Sequence, residues 1–172
     1  MKYWITTDTH FGHRKLVLEG IRPPLFSDLI LKRLKSVLLP DDVLIHLGDV
    51  SLDDDIVWNA KLIELSPCKK WLVRGNHDKH SDTWYMAQGW DFVADRIRTK
   101  KYGAEILFSH IPVKDDGYDL NIHGHFHNSD RRKNEPELLA IANEKQVLVA
   151  LELTNYMPAT LKQLVSQRAS MA

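Results

Sequence analysis

The sequence predicts an α/β protein built from two packed mixed β-sheets with helices outside. Short apolar segments of strand length recur along the chain, separated by helical periodicity at first and by a hairpin pattern later. Several of these segments run directly into clusters of Asp, Asn, Gly and His, as α/β proteins place functional groups at the carboxyl ends of strands. The 172 residues contain no evident linker, repeat or inserted cap, so we expect one domain over 1–172.

The first half of the chain predicts strands that alternate with helices. The expected elements are a strand over 3–7, a helix over 29–39, a strand over 43–47, a helix over 53–65 and a strand over 71–73. Ser27 and Asp28 are candidate N-caps of the first helix, and Pro40 ends it. Acidic residues at the start of the second helix suit the positive end of its dipole.

The second half predicts mainly strands. The expected elements are strands over 97–101, 106–109, 120–122 and 147–151, and a closing helix over 158–167. Tyr102 and Gly103 read as a hairpin turn between the first two of these strands. Pro158 suits the first turn of the helix.

Composition excludes several classes of protein. Lys plus Arg and Asp plus Glu both total 23, so no whole-protein basic field for nucleic acid is expected. One cysteine rules out an internal disulfide framework, and no apolar run approaches the roughly 18 residues of a membrane span. We therefore expect a cytoplasmic protein without membrane contact. Arg131, Arg132 and Lys133 could form a solvated loop or a local phosphate contact.

The polar groups at the strand ends form a candidate metal-binding set. They are Asp8, His10, Asp49, Asn76, His77, His110, His125 and His127. The pairs Asp8/His10 and His125/His127 would each project from one face of an extended backbone. Imidazole, carboxylate and amide groups together suit Mn, Fe, Zn, Co or Ni better than Ca or Mg. The set is too large for one tetrahedral ion and suits two ions that share a carboxylate.

Five motifs in order resemble those of the calcineurin-like metallophosphoesterases, most closely the small single-domain bacterial and phage-type members. They are Asp8-Thr9-His10, Gly48-Asp49, Gly75-Asn76-His77-Asp78, His110 and Gly124-His125-Phe126-His127. The resemblance implies a four-layer αββα fold. We expect Gly48, Gly75 and Gly124 to let the backbone turn sharply beside the ligands.

The resemblance also implies a role for each residue. Asp8, His10 and His127 would hold one divalent ion, Asn76, His110 and His125 would hold the other, and Asp49 would bridge them. Asp49 and His77 would be the catalytic residues, with His77 contacting the phosphate and protonating the leaving oxygen. Asn76 and His77 would bind substrate; His13 is either a pocket residue or a solvated one. Mn is the expected metal, with Fe, Zn, Ni or Co as alternatives. Asp78, Asp53 and nearby carbonyls are candidates for orienting the imidazoles.

The activity implied is hydrolysis of a phosphodiester or phosphomonoester by a water or hydroxide that bridges two metal ions. The substrates considered include nucleotides and nucleic acids, and the oligomeric state is left open. The Arg of the Val-Asp-Arg-Gly stretch of protein phosphatases is missing after Asp49, which argues against phosphoproteins. The alternatives are a nuclease and a non-enzymatic interaction module on the same fold, as in the retromer subunit.

Overall fold

Two mixed β-sheets form the centre of the protein in the computed structural model, which describes residues 1–114, 117–128, 135–141 and 143–169. The strands are β1 (Tyr3–Thr6), β2 (Val43–His46), β3 (Lys69–Val73), β4 (Phe92–Ala94), β5 (Arg96–Lys101), β6 (Ala104–Ser109), β7 (Leu120–His123), β8 (Gln146–Leu148) and β9 (Ala159–Thr160). The first sheet has the order β4-β3-β2-β1-β9 and the second β5-β6-β7-β8. Each sheet is parallel except for one antiparallel strand, β9 in the first and β5 in the second. The predicted pair of mixed sheets is therefore confirmed.

Helices flank the sheets. They are α1 (Arg14–Leu18), α2 (Phe26–Lys35), α3 (Asp55–Glu64), α4 (Asp82–Ala87), α5 (Pro136–Leu139) and α6 (Leu161–Ala169), and a 3₁₀ helix covers Leu151–Thr154. No helix in the described parts of the chain is both long and apolar enough to span a bilayer. Arg131, Arg132 and Lys133 lie outside the described residues.

Two apolar clusters lie on opposite faces of the first sheet because successive side chains of a strand alternate between its faces. On one face, Trp4 and Leu44 pack with Ile30 of α2 and Leu62 of α3. On the other face, a second cluster joins the two sheets, with Ile5, Ile45 and Val73 from the first and Ile106, Phe108 and Ile122 from the second. The two sheets thus share one buried apolar layer, which fixes the position of one sheet relative to the other.

Several predicted boundaries are wrong, including the end of α2, which lies at Lys35 and not beside Pro40. Helix α2 starts at Phe26, with Leu25 as its uncapped N-cap residue, because the hydroxyl of Ser27 accepts a hydrogen bond from the Gly12 N–H instead. The last strand of the second sheet stops at Leu148, before the 3₁₀ helix. The closing helix begins only at Leu161, because Ala159–Thr160 pairs with β1 as a short strand.

The strand register brings the functional loops to one edge. Thr6 of β1 lies beside His46 of β2, which lies beside Leu72 of β3, so three parallel strands end level with one another. In the second sheet, parallel β6 and β7 end at Ser109 and His123. The loops after these five strands carry all of the predicted metal ligands.

Candidate metal centre

One group of predicted ligands converges after β1 and β7. Asp8, His10 and His127 offer ligand atoms that all lie within 4.8 Å of one another. Asp8 Oδ1 is 3.8 Å from His10 Nε2 and 3.6 Å from His127 Nε2. The two imidazoles stack with their centroids 5.1 Å apart. All three side chains are buried, so their polar atoms are shielded from solvent.

A second group gathers after β3, β6 and β7. His110 Nε2 lies 2.9 Å from Asn76 Oδ1 and 3.2 Å from His125 Nδ1. His125 Nδ1 and Asn76 Oδ1 are themselves 3.1 Å apart. These three atoms therefore point toward one small volume.

Asp49 lies between the two groups. Its Oδ2 is 3.6 Å from His10 Nε2 of the first group and 3.4 Å from His110 Nε2 of the second. Its Oδ1 accepts a hydrogen bond from the His77 backbone N–H at 2.8 Å, which fixes the carboxylate plane. One oxygen of Asp49 is thus within reach of both groups.

The donor set fits a pair of divalent cations. Nitrogen and oxygen ligands bonded at about 2.1 Å to one ion lie roughly 3.0–3.4 Å apart. The donor distances to Asp8 Oδ1 in the first group and all three donor distances in the second are between 2.9 and 3.8 Å. Asp8 Oδ1 is buried and has no hydrogen-bond partner among the described residues, an arrangement that costs free energy unless a cation binds there.

The tautomers of three imidazoles also fit metal binding. His110 Nδ1 lies 2.7 Å from the Leu47 carbonyl, His125 Nε2 lies 2.7 Å from Glu135 Oε2, and His127 Nδ1 lies 3.0 Å from Glu152 Oε1. An oxygen acceptor at one ring nitrogen favours a proton there, so the other nitrogen can offer its lone pair to a metal that displaces any proton on it. The expectation that a backbone carbonyl would orient an imidazole is met at His110.

The backbone at the ligands is left-handed rather than extended. Positive φ angles occur at Asp8 (49°), His10 (44°), Asp49 (57°), His125 (69°) and His127 (50°). The prediction that the paired ligands project from an extended chain is therefore wrong. Each such residue costs about 1 kcal/mol or more. The strain is held by bonds between loops, including Asp8 N–H to the Gly48 carbonyl at 2.9 Å.

The three glycines beside the ligands have two different functions. Gly48 has φ +99°, so it makes the sharp turn that was predicted. Gly75 and Gly124 do not have a left-handed φ. Glycine is required at these two positions because there is no space for a side chain. A Cβ would lie 2.2 Å from Asp49 Oδ1 at Gly75 and 2.3 Å from Asp8 Oδ2 at Gly124. The prediction of a sharp turn is wrong for these two, which instead let a carboxylate approach the backbone.

Asp78 holds the loops rather than the imidazoles. Its Oδ2 accepts hydrogen bonds from the N–H groups of Asp49 and Gly75, both at 2.8 Å, and its Oδ1 accepts from Val50 at 3.0 Å. Asp53, the other predicted partner, is exposed, and the described residues include no hydrogen bond from it to a ligand histidine. Asp78 therefore ties the loop after β2 to the loop after β3.

A buried ion pair that the sequence did not reveal supports the first group. Arg22 donates to the carbonyls of Thr9 at 2.8 Å and Asp8 at 2.7 Å. It also donates to Glu152 Oε1 at 2.6 Å, the same oxygen that contacts His127. Arg22 and Glu152 are 130 positions apart and belong to no motif, so no local pattern could pair them.

Burial and neighbouring charge oppose each other in the pKa values of the site. Burial alone would raise the pKa of Asp49, but His110, His10 and the His77 N–H hold it below its usual range. Burial would lower the pKa of His110, yet Asp49, Asp8 and the Leu47 carbonyl raise it to about 9. A proton held on His110 competes with a metal for the same nitrogen, so metal binding there would release a proton.

A pocket of about 190 Å³ opens onto both groups. Asp49, Asn76 and the ligand histidines other than His110 line it, together with His13 and His77. His77 is exposed, and its ring centroid lies 5.5 Å from that of His10. The structure thus brings all the predicted site residues together, with His77 and His13 on the pocket wall beside His10.

Comparison with known proteins agrees with the fold described above. The sequence profile of the calcineurin-like phosphoesterases matches residues 1–159. No curated protein sequence matches the chain. A protein of unknown function from Aquifex aeolicus is similar in structure over 96% of this chain and 98% of its own, with 26% identity and a TM-score of 0.75.

Two further solved structures have lower similarity. An archaeal phosphodiesterase matches 74% of this chain and 74% of its own, with 20% identity and a TM-score of 0.46. The Escherichia coli phosphoesterase YfcE matches 74% of this chain and 70% of its own, with 19% identity and a TM-score of 0.43.

Proposed function

Because the chain belongs to the calcineurin-like phosphoesterase family, we propose that it hydrolyses phosphodiesters or phosphomonoesters at a centre that holds two divalent metal ions. The observation that carries the proposal is the position of Asp49, whose Oδ2 lies within 3.6 Å of a ligand nitrogen in each group. A carboxylate shared in this way would hold two cations close enough to act on one phosphate.

The bound ions would supply a water of lowered pKa and positive charge for the phosphate oxygens. Asp8 and Asp49 would cancel two of the four positive charges, and Glu135, which lines the pocket and contacts His125, would cancel a third, so a net positive charge would remain to attract an anion. The mix of imidazole, carboxylate and amide donors suits transition metals better than Ca or Mg, and we propose Mn, with Fe, Zn, Ni or Co as alternatives.

His77 is proposed as the proton donor to the leaving oxygen. It lines the pocket, its side chain is exposed, and no ligand atom of either group belongs to it. Its backbone N–H is held by Asp49, so its position is coupled to the shared carboxylate. Asn76 and His13 line the same pocket and are proposed to contact the phosphate and the rest of the substrate.

The ligand set supports this enzyme over a non-catalytic binding module. All seven predicted ligands converge on two groups around Asp49, which a scaffold would have no reason to maintain. A nuclease is also consistent with the proposed chemistry, since it would differ only in having a nucleic acid as its substrate. The single domain and the cytoplasmic location stay predictions.

The test uses isosteric and truncation variants on protein reconstituted with Mn. Asp49→Asn should abolish hydrolysis of bis-p-nitrophenyl phosphate and p-nitrophenyl phosphate and lower bound metal measured by mass spectrometry. His77→Ala should reduce turnover by about 10²–10⁴ while metal content persists. Asp53→Asn, an exposed carboxylate four residues after Asp49, is the matched control.

Two results would overturn the assignment. A folded Asp49→Asn protein with full activity would remove the shared-carboxylate mechanism. Loss of metal in His77→Ala would show that His77 is a ligand. Cyclic nucleotides and single-stranded nucleic acid, added to the same assay, distinguish an esterase of small molecules from a nuclease.

A further inference from the structure

A mostly apolar groove of about 180 Å³ lies beside the candidate metal centre, among the first turns of α1 and α2 and the middle of α3. Its apolar wall comprises Val17, Leu25, Phe26 and Trp58, and Arg14 and Asp28 are among its polar lining. His13 lines both this groove and the pocket over the metal ligands, so the two are adjoining. None of the seven ligands lines the groove.

Leu25 is an unfavourable residue for its position. Its side chain is 75% exposed, and its backbone is left-handed with φ 60°. It also occupies the N-cap of α2 without a side-chain hydrogen bond to the helix. Asn at this site would suit the left-handed backbone, cap the helix and remove an exposed apolar surface. A residue that is costly in all three respects points to a use for its side chain outside folding.

Trp58 gives the groove an aromatic wall with a polar edge. The ring stacks on Phe11 at 5.3 Å, and Lys61 Nζ lies 4.1 Å from its centroid. Its Nε1 faces Gly12, where a Cβ would lie only 2.6 Å away. In the described parts of the chain no hydrogen bond reaches this indole N–H. The groove thus combines an aromatic wall with polar lining from residues such as Arg14 and Asp28.

We propose that the groove binds an aromatic ring carried by the phosphate ester whose phosphate occupies the adjoining pocket. The inference rests on the proposed function and assigns a substrate class to it: esters with an aryl or heterocyclic group, nucleotides included. The size is adequate, since an apolar cavity of about 150 Å³ accommodates benzene.

The experiment compares two inhibitors that cannot be hydrolysed, phenylphosphonate and methylphosphonate, on Mn-loaded protein. Both present the same anion to the metal centre, so the ratio of their dissociation constants measures what the ring gains. Calorimetry should show phenylphosphonate binding roughly tenfold or more tightly to the wild type, as expected when most of a ring leaves water.

Leu25→Asn should lose most of this preference, with a ratio at least threefold lower, while its melting temperature equals or exceeds that of the wild type. Leu18→Asn is the matched control, because Leu18 is 86% exposed and does not line the groove. Its ratio should equal that of the wild type.

The outcomes separate the groove from the proposed function. Equal binding of both phosphonates, unchanged by Leu25→Asn, would overturn the groove assignment and leave the metal centre standing. Failure of either phosphonate to bind in a metal-dependent way would instead remove the proposed function. A wild type that self-associates in light scattering, with a monomeric Leu25→Asn and no preference between the phosphonates, would assign the groove to a second copy and also overturn the inference.

Discussion

The buried pair Arg22–Glu152 offers a direct test of how the first ligand group is held. The two side chains are 0% and 5% exposed, so water cannot replace their contacts. Glu152 Oε1 accepts from Arg22 and contacts His127 Nδ1 at 3.0 Å. Burial would raise the pKa of Glu152, but His127 and Arg22 lower it to about 2, so the carboxylate is charged at neutral pH.

Glu152→Gln is the mildest change that removes this charge. Breaking a buried ion pair costs about 3–5 kcal/mol when one charge is left without a partner. Arg22 keeps its two backbone carbonyl acceptors, so we expect a smaller loss of about 1–3 kcal/mol in the free energy of unfolding. We expect Glu152→Gln to have a larger proportional effect on the affinity for metal than on stability. Loss of the acceptor that orients a ligand imidazole typically weakens metal binding 10–100-fold.

Titration of metal into the protein by calorimetry measures the change in metal affinity separately from the change in stability. We expect one of two binding steps to weaken 10–100-fold in Glu152→Gln and the other to keep its wild-type affinity, because Glu152 contacts only the first group. Glu144→Gln, at an exposed position, is the control and should match the wild type. If both steps keep their affinity while the protein is destabilised, the pair serves folding alone and the reasoning fails.

Two further predictions concern the loops that carry Asp49 and Asp8. Burial, with His110, lowers the pKa of His46 to about 3 despite Asp49. Between pH 6.5 and 3 the unfolded chain therefore binds a proton that the folded protein does not, and the free energy of unfolding should fall by up to about 1.4 kcal/mol per pH unit of acidification. Denaturation of wild type and His46→Gln at pH 7 and 5 tests this, and an identical pH dependence would contradict it. Gly124→Ala should displace Asp8 and lower metal content by mass spectrometry, with a cost of about 1–3 kcal/mol in stability; unchanged metal content would show that the loop accommodates the methyl group.

The sequence predicted the location of the site because its cues are local. Each motif directly follows a strand. Because these strands end level with one another at one edge of the two packed sheets, the motifs lie together at that edge. The left-handed backbone at Asp8 and His10 could not be anticipated in the same way. Non-glycine residues rarely adopt it, and it is held here by hydrogen bonds to a loop some 40 residues away.

Two errors in the fold share one cause, which is competition from distant partners. Ser27 has the side chain of an N-cap, but its hydroxyl accepts from Gly12, and the helix starts before it. The local pattern at residues 159 and 160 is typical of a helix start, yet these residues pair with β1 as an antiparallel strand. The sequence does not identify the Arg22–Glu152 pair, because no local sequence pattern distinguishes a buried ion pair from two surface charges.

Both ligand groups draw side chains from both sheets. Asp8 and His10 follow a strand of the first sheet and His127 one of the second; Asn76 follows the first sheet and His110 and His125 the second. The separation of the two groups is therefore set by the apolar layer that joins the sheets, not by any single loop. Since that layer is close-packed, it holds the two sheets together against the mutual repulsion of Asp8 and Asp49, which offer carboxylate oxygens within 4.8 Å of each other. Precision at the site then depends on residues such as Ile45 and Phe108 that contact none of the ligands' reactive atoms, which is why a sequence reading confined to the motifs captures the chemistry but not its geometry.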